Sequence, residues 1–388
     1  MPSAHWTGAS RNDTTGRCER TSTVKRRRQL VVAKPARLDS ARGTNRSAPD
    51  DNSVRADLCR EEPSGVRWSR TAGGSRGTKI VSERLHAVSR GILLWLGGRK
   101  NAQRVISRVP VTRRVAHRFV AGDRAEDATE AVRRLNAQGV DGVLNLLGEG
   151  VTTSADADAA AAEYADAIAV AEGQVRTSIT LKPSQLGLLF DAAGCAVRLR
   201  QVAALAAAAG LGLEVDMEQS SHVAATIETF LGAGLNPLPR LAIQACLHRT
   251  PSDIESLIGA GVRTRLVKGA YLEGPGVAIQ QTGAISRRYG ELSTLLLERG
   301  ADPAFATHDS ALIDHVVREA RRLGRDKRDF EFQMLYGIRR DLQVELARAG
   351  FRVRAYVPFG PAWYPYLVRR LAERPANLRF FARALVGR

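Results

Sequence analysis

The amino-acid sequence predicts an α/β protein built on a (β/α)8 barrel. Short apolar runs of strand length recur along the chain, and the segments between them carry Ala, Leu, Arg and Glu at helical spacing. Eight strands that alternate with helices over roughly 240 residues are typical of this barrel. An open doubly wound sheet is the competing architecture, but the chain has neither its Gly-x-Gly-x-x-Gly turn nor a Walker A loop. The eight runs are residues 141–147, 177–182, 211–216, 238–245, 263–269, 302–307, 329–335 and 352–358.

Residues 1–78 are predicted to form a disordered, basic extension. Their apolar residues are scattered singly, apart from residues 30–33, so little apolar surface is available to offset the entropy of ordering. The whole chain has a net charge of +18, and this segment holds 16 Lys and Arg against 8 Asp and Glu. Its cluster Lys25-Arg26-Arg27-Arg28 is interpreted as solvated charge, although a nucleic-acid or phosphate-binding arm and a twin-arginine export signal stay open as alternatives.

The barrel domain, residues 79–388, is predicted to begin with helices. Apolar residues at helical spacing start the domain, and Asp123 is the expected N-cap of a helix that runs through Ala137 and ends at Gly139. Alanine-rich helices are expected at 153–172 and 194–210. A last helix is expected from Trp363 to Ala376. The first apolar positions are Val81, Leu85, Val88, Ile92 and Trp95.

Cysteine usage and apolar run lengths predict a cytoplasmic location. The four cysteines, at positions 18, 59, 195 and 246, show no metal-ligand or redox spacing. The apolar run at residues 91–98 is far shorter than the ~20 residues that cross a bilayer. We therefore expect at most a peripheral association with the inner face of the cell membrane. His222, His248 and His315 have no partners at metal-ligand spacing and are interpreted as structural, so no metal site is predicted.

Polar residues follow the predicted strands, where the ligands of a barrel bind. Residues 263–274 are the clearest case, because this strand ends in two cations beside a glycine, which suits an anionic or electron-rich ligand. On the last helix, Arg369 and Arg370 precede Glu373 by one helical turn, so the carboxylate can hold an arginine while the guanidinium groups grip a carboxylate ligand. The candidate strand-end groups are Glu149, Lys182, Asp216, Glu218, Gln244, Arg265, Lys268, Thr307, His308, Asp309, Gln333, Tyr336 and Tyr356.

From about residue 115 to the C-terminus, the chain resembles the proline dehydrogenase family. Seven motifs carry the resemblance in family order, and their combination is far more specific than any one of them. They are Leu181–Gly187 (LKPSQLG), Val215–Glu218 (VDME), Ala242–Ala245 (AIQA), Arg265–Tyr271 (RLVKGAY), Ala306–Asp309 (ATHD), Glu331–Gly337 (EFQMLYG) and Tyr366–Glu373 (YLVRRLAE).

The resemblance implies a flavoenzyme on a distorted (β/α)8 barrel. Such an enzyme holds FAD non-covalently at the strand ends, oxidises L-proline to 1-pyrroline-5-carboxylate and passes the electrons to a quinone. The length of the chain implies the catalytic unit without the aldehyde dehydrogenase half of the bifunctional relatives. Asn145 stands where the family usually has Asp, so this strand end is expected to be less acidic.

The resemblance also assigns roles to individual residues. Lys182, Arg369 and Arg370 would hold the proline carboxylate, with Glu373 orienting an arginine. Asp216 and Arg265 would be the catalytic pair, with Asp216 balancing the cations and Arg265 close to the flavin. The wall around the substrate ring would consist of Tyr271, Leu335, Tyr356 and Tyr366. The remaining cofactor contacts would be Met217, Gln244, Val267, Lys268, Gly269, Ala270, Thr307 and His308.

Three alternative functions stay open. Hydroxyproline oxidation uses the same chemistry, although Tyr356 would crowd the hydroxylated carbon in this family. A Schiff-base aldolase would place its lysine at a strand end, where Lys182 and Lys268 stand. A nucleic-acid or anionic-membrane role would rest on the basic extension alone, and no specific nucleic acid is expected.

Overall fold

The computed structural model describes residues 116–148 and 150–373, with the backbone alone for residues 369–373. Eight parallel strands follow one another around a closed barrel, and the last pairs with the first. The predicted barrel is therefore confirmed, with each strand inside or within one residue of its apolar run. The strands are β1 Asp141–Leu146, β2 Thr177–Leu181, β3 Gly212–Val215, β4 Arg240–Gln244, β5 Arg263–Val267, β6 Ala301–Ala306, β7 Glu331–Leu335 and β8 Arg352–Phe359.

Helices alternate with these strands and cover the outside of the barrel. Within the described residues they are α1 Ala125–Asn136, α2 Ser154–Ala171, α3 Ala192–Ala208, α4 Val223–Gly232, α5 Thr250–Gly259, α6 Thr282–Arg299, α7 Ser310–Arg322, α8 Arg340–Arg348 and α9 Trp363–Glu373. The alanine-rich helices predicted at 153–172 and 194–210 correspond to α2 and α3. The predicted disordered extension and the helical pattern from Val81 to Trp95 lie outside the described residues.

The predicted N-cap of α1 is wrong by one residue. Arg124 occupies the N-cap position with an extended backbone, and its N–H donates to the Asp127 carboxylate at 3.2 Å. Because Asp127 reaches back to the N-cap amide, it sets the helix start that was assigned to Asp123. A methyl group on Gly122 would overlap the Asp127 side chain, which explains the glycine before the helix.

The helix that follows β8 departs from a regular ring. Helix α1, which precedes the barrel, packs on β1, and a methyl group on Gly142 would lie 2.5 Å from a Val132 methyl carbon. Helix α9 instead joins a separate apolar cluster at the strand ends, where Trp363 and Leu367 pack with residues that include Leu147, just after β1. The resemblance implied a distorted barrel, and this displaced helix is the distortion. The predicted extension of α9 to Ala376 lies outside the described residues.

Charged side chains from β3, β4, β7 and β8 form a network across the barrel interior. Arg240 donates to Glu214 at 3.3 Å and to Glu331 at 3.2 Å, and Arg354 donates to Glu331 at 3.1 Å. Burial alone would raise the pKa of Glu331, but Arg354 and Arg240 lower it to about 2. These ion pairs lie beneath the strand ends and form the floor on which the site is built.

Helix length gives no sign of a membrane span. Across the helices that the structure describes, none is both long and apolar enough to cross a bilayer.

Candidate active site

A cavity of about 410 Å³ opens at the carboxyl ends of the strands. Its volume lies within the range of ligand pockets in proteins, and all eight strands or the segments just after them contribute to its wall. Helix α9 adds Tyr366. The cavity therefore occupies the position at which barrel enzymes bind their ligands.

The structure brings the described candidate residues together around this cavity. They are Lys182, Asp216, Met217, Gln244, Arg265, Val267, Lys268, Gly269, Ala270, Tyr271, Thr307, His308, Leu335, Tyr356 and Tyr366. The side chains of Arg369, Arg370 and Glu373 lie outside the described residues, although their backbones belong to α9. The individual roles assigned to all these residues stay predictions.

Three of the strand-end groups are not among the residues that line the cavity. Glu149 lies outside the described residues. The Glu218 carboxylate accepts hydrogen bonds from the backbone N–H and hydroxyl of Ser184, at 3.0 and 2.6 Å, and so ties the segment after β3 to the one after β2. Tyr336 lies under the guanidinium group of Arg340. Glu218 lies three residues after β3, and Tyr336 directly follows β7 but points its ring at Arg340, so a position near a strand end does not by itself place a side chain in the cavity.

Arg265 and Asp216 form the centre of the cavity floor. Arg265 is 3% exposed, and its Nη2 donates to Asp216 while its Nη1 donates to Glu214 at 2.8 Å. The other oxygen of Asp216 accepts from the Tyr356 hydroxyl at 2.6 Å. The Tyr356 ring lies against the same guanidinium group, with its centroid 5.6 Å from the Arg265 Cζ. These contacts fix three side chains from three different strands in one arrangement.

Burial and neighbouring charges set the protonation states of Asp216 and Tyr356. Burial would raise the pKa of Asp216, but the charges of Arg265 and Lys182 lower it below its ordinary value. Burial and the Asp216 carboxylate raise the pKa of Tyr356 well above its ordinary value. Asp216 therefore stays a carboxylate and Tyr356 stays a neutral hydrogen-bond donor through the physiological pH range.

Lys182 stands at the end of β2, on the rim of the same cavity. Its Nζ donates to the Asn145 side-chain oxygen at 3.0 Å and lies 4.0 Å from an Asp216 oxygen. Asn145 is 1% exposed and, as a neutral acceptor, orients the ammonium group without cancelling its charge. This part of the cavity thus presents a positively charged group toward a ligand.

The ends of β5 and β6 supply a second polar region across the ring. Lys268 donates to Asp309 at 2.9 Å and to Ser286 at 3.1 Å. Burial would raise the pKa of Asp309, but the hydrogen bond and charge of Lys268 lower it. His308 accepts from the backbone N–H of Leu335 through Nε2 at 2.8 Å, so this ring nitrogen is unprotonated.

The turn after β5 depends on glycine. Gly269 has a φ of +111°, and a methyl group there would overlap the Cys246 sulfur. Only glycine combines this backbone conformation with such a close approach. It allows the chain to carry both Lys268 and Ala270 along the cavity wall.

The cavity residues fit a flavin nucleotide. Arg265 keeps a buried Nε that has no hydrogen-bond partner among the described residues, although an unsatisfied buried donor is costly. Small apolar side chains near it could accommodate a flat ring system, and Lys268, Thr307 and His308 offer groups suited to phosphates. The small apolar wall consists of Ala242, Val267 and Ala306. In the described part of the chain, no cluster of His, Cys, Asp and Glu could hold a metal ion.

Residue-level reasoning missed two neighbours of the candidate groups. Glu214 is not a predicted site residue, because a carboxylate one residue before the end of a strand carries no functional pattern of its own. The spacing of Glu214 and Asp216 was the available signal, since residues two apart in a strand face the same side. Asn145 was noted only as a departure from the family, and its contact with Lys182 follows from the pairing of β1 with β2.

Comparisons with known proteins converge on one family. A family model for proline dehydrogenase matches residues 128–383. Proline dehydrogenase 1 of Bacillus subtilis subsp. natto is 36% identical over 282 residues, which cover 71% of this chain and 92% of that protein. The proline dehydrogenase of Deinococcus radiodurans is 37% identical over 283 residues, which cover 70% of this chain and 90% of the relative.

Solved structures give the same fold. Proline utilization A (PutA) from Bdellovibrio bacteriovorus, inactivated by N-propargylglycine, has a TM-score of 0.63 at 24% identity and covers 67% of this chain and 32% of its own. A structure of PutA with proline bound in remote sites has a TM-score of 0.59 at 27% identity, with 72% and 34% coverage. The chain thus spans about a third of the length of these PutA chains.

Proposed function

The chain belongs to the proline dehydrogenase family, with the monofunctional enzymes as its relatives, and on that premise we propose that it oxidises L-proline to 1-pyrroline-5-carboxylate with bound FAD. A quinone is the proposed acceptor of the electrons. The observation that carries the proposal is the single cavity in which Lys182, Asp216, Arg265 and Tyr356 meet. Bound in it, the flavin would accept a hydride from C5 of proline.

Substrate orientation is the main contribution that we assign to this chain. Lys182 would bind the proline carboxylate at one end of the ring, and good alignment of reacting groups can lower a barrier by several kcal/mol. Arg369 and Arg370, which follow the cavity residue Tyr366 within one helical turn of sequence, would also bind the carboxylate. Glu373, one turn further, would orient an arginine.

Proton control follows from the same charges. Cations near the carboxylate disfavour a protonated amine through like-charge repulsion, and the oxidation of C5 requires the neutral amine. Asp216 is held by Arg265 and Tyr356 and has a lowered pKa, so it suits the balancing of charge better than the removal of protons. We therefore assign no dedicated general base.

Anaerobic bleaching of a bound flavin tests the proposed function. The purified protein is expected to be yellow, and L-proline added without oxygen should remove the flavin absorbance band. Trans-4-hydroxy-L-proline is the matched comparison, and we expect slower bleaching because Tyr356 lies beside the substrate ring. A protein that binds no FAD, or a spectrum unaffected by proline, would overturn the proposal. Faster bleaching by hydroxyproline would indicate that the hydroxylated imino acid is the substrate.

Asn145→Asp should weaken proline binding. The new carboxylate would stand about where the amide oxygen lies, 3.0 Å from the Lys182 Nζ, and would compete with the substrate for its charge. The cost of a lost charge-assisted interaction is ~1.5 kcal/mol, which predicts an increase in KM for proline of roughly tenfold. Steady-state kinetics measure it, with Asn145→Ala as the control that removes the acceptor without adding charge. An unchanged KM in Asn145→Asp would show that the new carboxylate does not compete with the substrate for Lys182.

A further inference from the structure

We propose that Glu214 is a positioning residue for Arg265, anchoring its guanidinium group from inside the barrel so that the group keeps one orientation toward the cavity. The inference rests on the proposed function, because it gives Arg265 a part in the oxidation. Glu214 lies outside the cavity lining and outside the seven motifs that carry the family resemblance.

Alternate residues of one strand hold the two ends of the guanidinium group. Glu214 in β3 and Asp216 just after it both face the barrel interior. Glu214 binds Nη1 at 2.8 Å and Asp216 binds Nη2, so each carboxylate holds a different nitrogen. Two separate attachment points fix the plane of the guanidinium group, whereas one would leave it able to rotate.

Asp216 alone is poorly suited to this task. It also accepts hydrogen bonds from Tyr356 at 2.6 Å and from Thr180 at 3.0 Å, and it lies 4.0 Å from the Lys182 Nζ. Its position therefore depends on groups at the cavity rim, which would respond to a ligand. Glu214 is 2% exposed and lies outside the cavity lining, and two of its partners, Ser178 and Arg240, also lie outside that lining.

The surroundings of Glu214 make it a rigid anchor. Its carboxylate accepts from Gln333 at 2.9 Å, from Ser178 at 3.2 Å and from Arg240 at 3.3 Å, besides Arg265. These donors come from β7, β2, β4 and β5, so the carboxylate is held from four strands. Gln333 also accepts from Arg265 at 3.4 Å through its side-chain oxygen, which closes a small ring of contacts around the guanidinium group.

Stability alone gives little reason for this arrangement. Replacing a buried ion pair with apolar side chains of similar volume is often neutral or stabilising, because desolvation offsets the attraction of the charges. Arg265 in addition keeps an Nε without a partner among the described residues. A fixed buried cation at a cavity wall instead meets the requirement of preorganised electrostatics, in which charge is placed before the ligand arrives.

Glu214→Gln tests the inference, and Glu331→Gln is its matched control. Glutamine has nearly the same shape as glutamate, but it removes the negative charge. Its amide N–H groups would also face the hydrogen-bond donors that now surround the Glu214 carboxylate. Glu331 is also buried, and it accepts hydrogen bonds from Arg240, Arg352, Arg354 and Gln333 rather than from Arg265 itself. We expect kcat for proline to fall by about tenfold or more in Glu214→Gln, since small displacements of a catalytic group can cost up to 10²-fold, with KM unchanged. In Glu331→Gln we expect unchanged kcat.

A readout independent of turnover is the midpoint potential of the bound flavin. Loss of the Glu214 charge should make the potential more positive, because a more positive cavity favours the reduced, more negatively charged flavin. The control should shift it less, since the Glu331 carboxylate is paired with Arg240 and Arg354 rather than with Arg265. Equal behaviour of the two glutamine variants in kcat and potential would overturn the inference. Bleaching of the wild-type flavin by proline separates that result from failure of the proposed function.

Glu214→Asp provides the test if the glutamine variant does not fold. It keeps the charge but withdraws the carboxylate by one methylene group, so the two-point hold of Arg265 should be lost. We expect a fall in kcat with an unchanged KM for proline. Wild-type kcat in this variant would show that Arg265 needs no anchor from inside the barrel.

Discussion

Replacing Arg265 with methionine is expected to lower kcat for proline by about 10²-fold or more, the usual effect of removing a preorganised charged or hydrogen-bonding group from an active site. Methionine has a similar length and fills much of the same volume, so the change removes mainly the charge and the donors. The result would be measured by single-turnover reduction of the flavin, which isolates the oxidation of proline from reoxidation by the acceptor.

The same variant should also lose stability. Arg265 is the shared partner of Glu214 and Asp216, and its removal leaves two buried carboxylates with less compensation. Breaking a buried ion pair by removing one partner costs ~3–5 kcal/mol in the free energy of unfolding. Urea denaturation of the purified protein would measure the loss, provided that wild type and variant unfold reversibly.

Arg265→Lys is the control that separates charge from geometry. A lysine ammonium group keeps the positive charge. It has a single nitrogen in place of the two guanidinium nitrogens, so it cannot bind Glu214 and Asp216 at the same time in the geometry of the arginine. We expect this variant to recover part of the stability while kcat stays close to that of the methionine variant. Wild-type kcat in Arg265→Lys would show that a point charge suffices and would contradict the role assigned to the guanidinium plane.

The barrel could be predicted because its signal is repeated eight times. Strands such as β2 and β4 are buried along their whole length and appear in the sequence as short apolar runs, and the helices between the strands have their own period. Single boundaries depend on local contacts that a pattern does not contain. The start of α1 shows this, since the reach of Asp127 back to Arg124 decided it rather than the capping preference of Asp123.

The cavity could be predicted because barrel geometry converts sequence position into spatial position. Residues at the strand ends, or directly after them, converge, which explains why Lys182, Gln244 and Thr307 line one cavity. The rule does not hold for every such residue, as Glu218, three residues after β3, and Tyr336, directly after β7, show. The rule also does not apply to residues inside the barrel.

The charged barrel interior could not be predicted for a physical reason. Glu214, Arg240 and Glu331 belong to different strands, and their pairing depends on strand tilt and register across the barrel. A charged residue within an apolar run weakens the sequence signal for a strand, and it does not indicate which residue it pairs with. Likewise, the sequence predicted helix α9 but not its packing over the strand ends, because that position depends on contacts with residues such as Leu147 and Ile338.

Replacing Lys182 with methionine should raise KM for proline by roughly 10- to 100-fold, because a hydrogen bond to a charged group contributes ~1.5–3 kcal/mol. The ammonium group of Lys182 also offsets the Asp216 carboxylate 4.0 Å away, so its loss makes the cavity less favourable for any anion. The effect should therefore extend to a five-membered-ring carboxylate that lacks the amine and cannot be oxidised. Its dissociation constant, followed by the flavin spectrum, would rise in parallel with KM.

Lys268→Met is the matched control for this prediction. Both lysines line the same cavity, but Lys268 follows β5 and binds Asp309 and Ser286, three strands around the barrel from Lys182. Its loss should weaken FAD binding to the apoprotein while KM for proline in the FAD-saturated enzyme stays unchanged. If both variants raised KM equally, the cavity would attract the substrate only through its total charge. A selective effect of Lys182→Met would instead require that the proline carboxylate is bound at the β2 side, with the nucleotide end of the cofactor at β5 and β6.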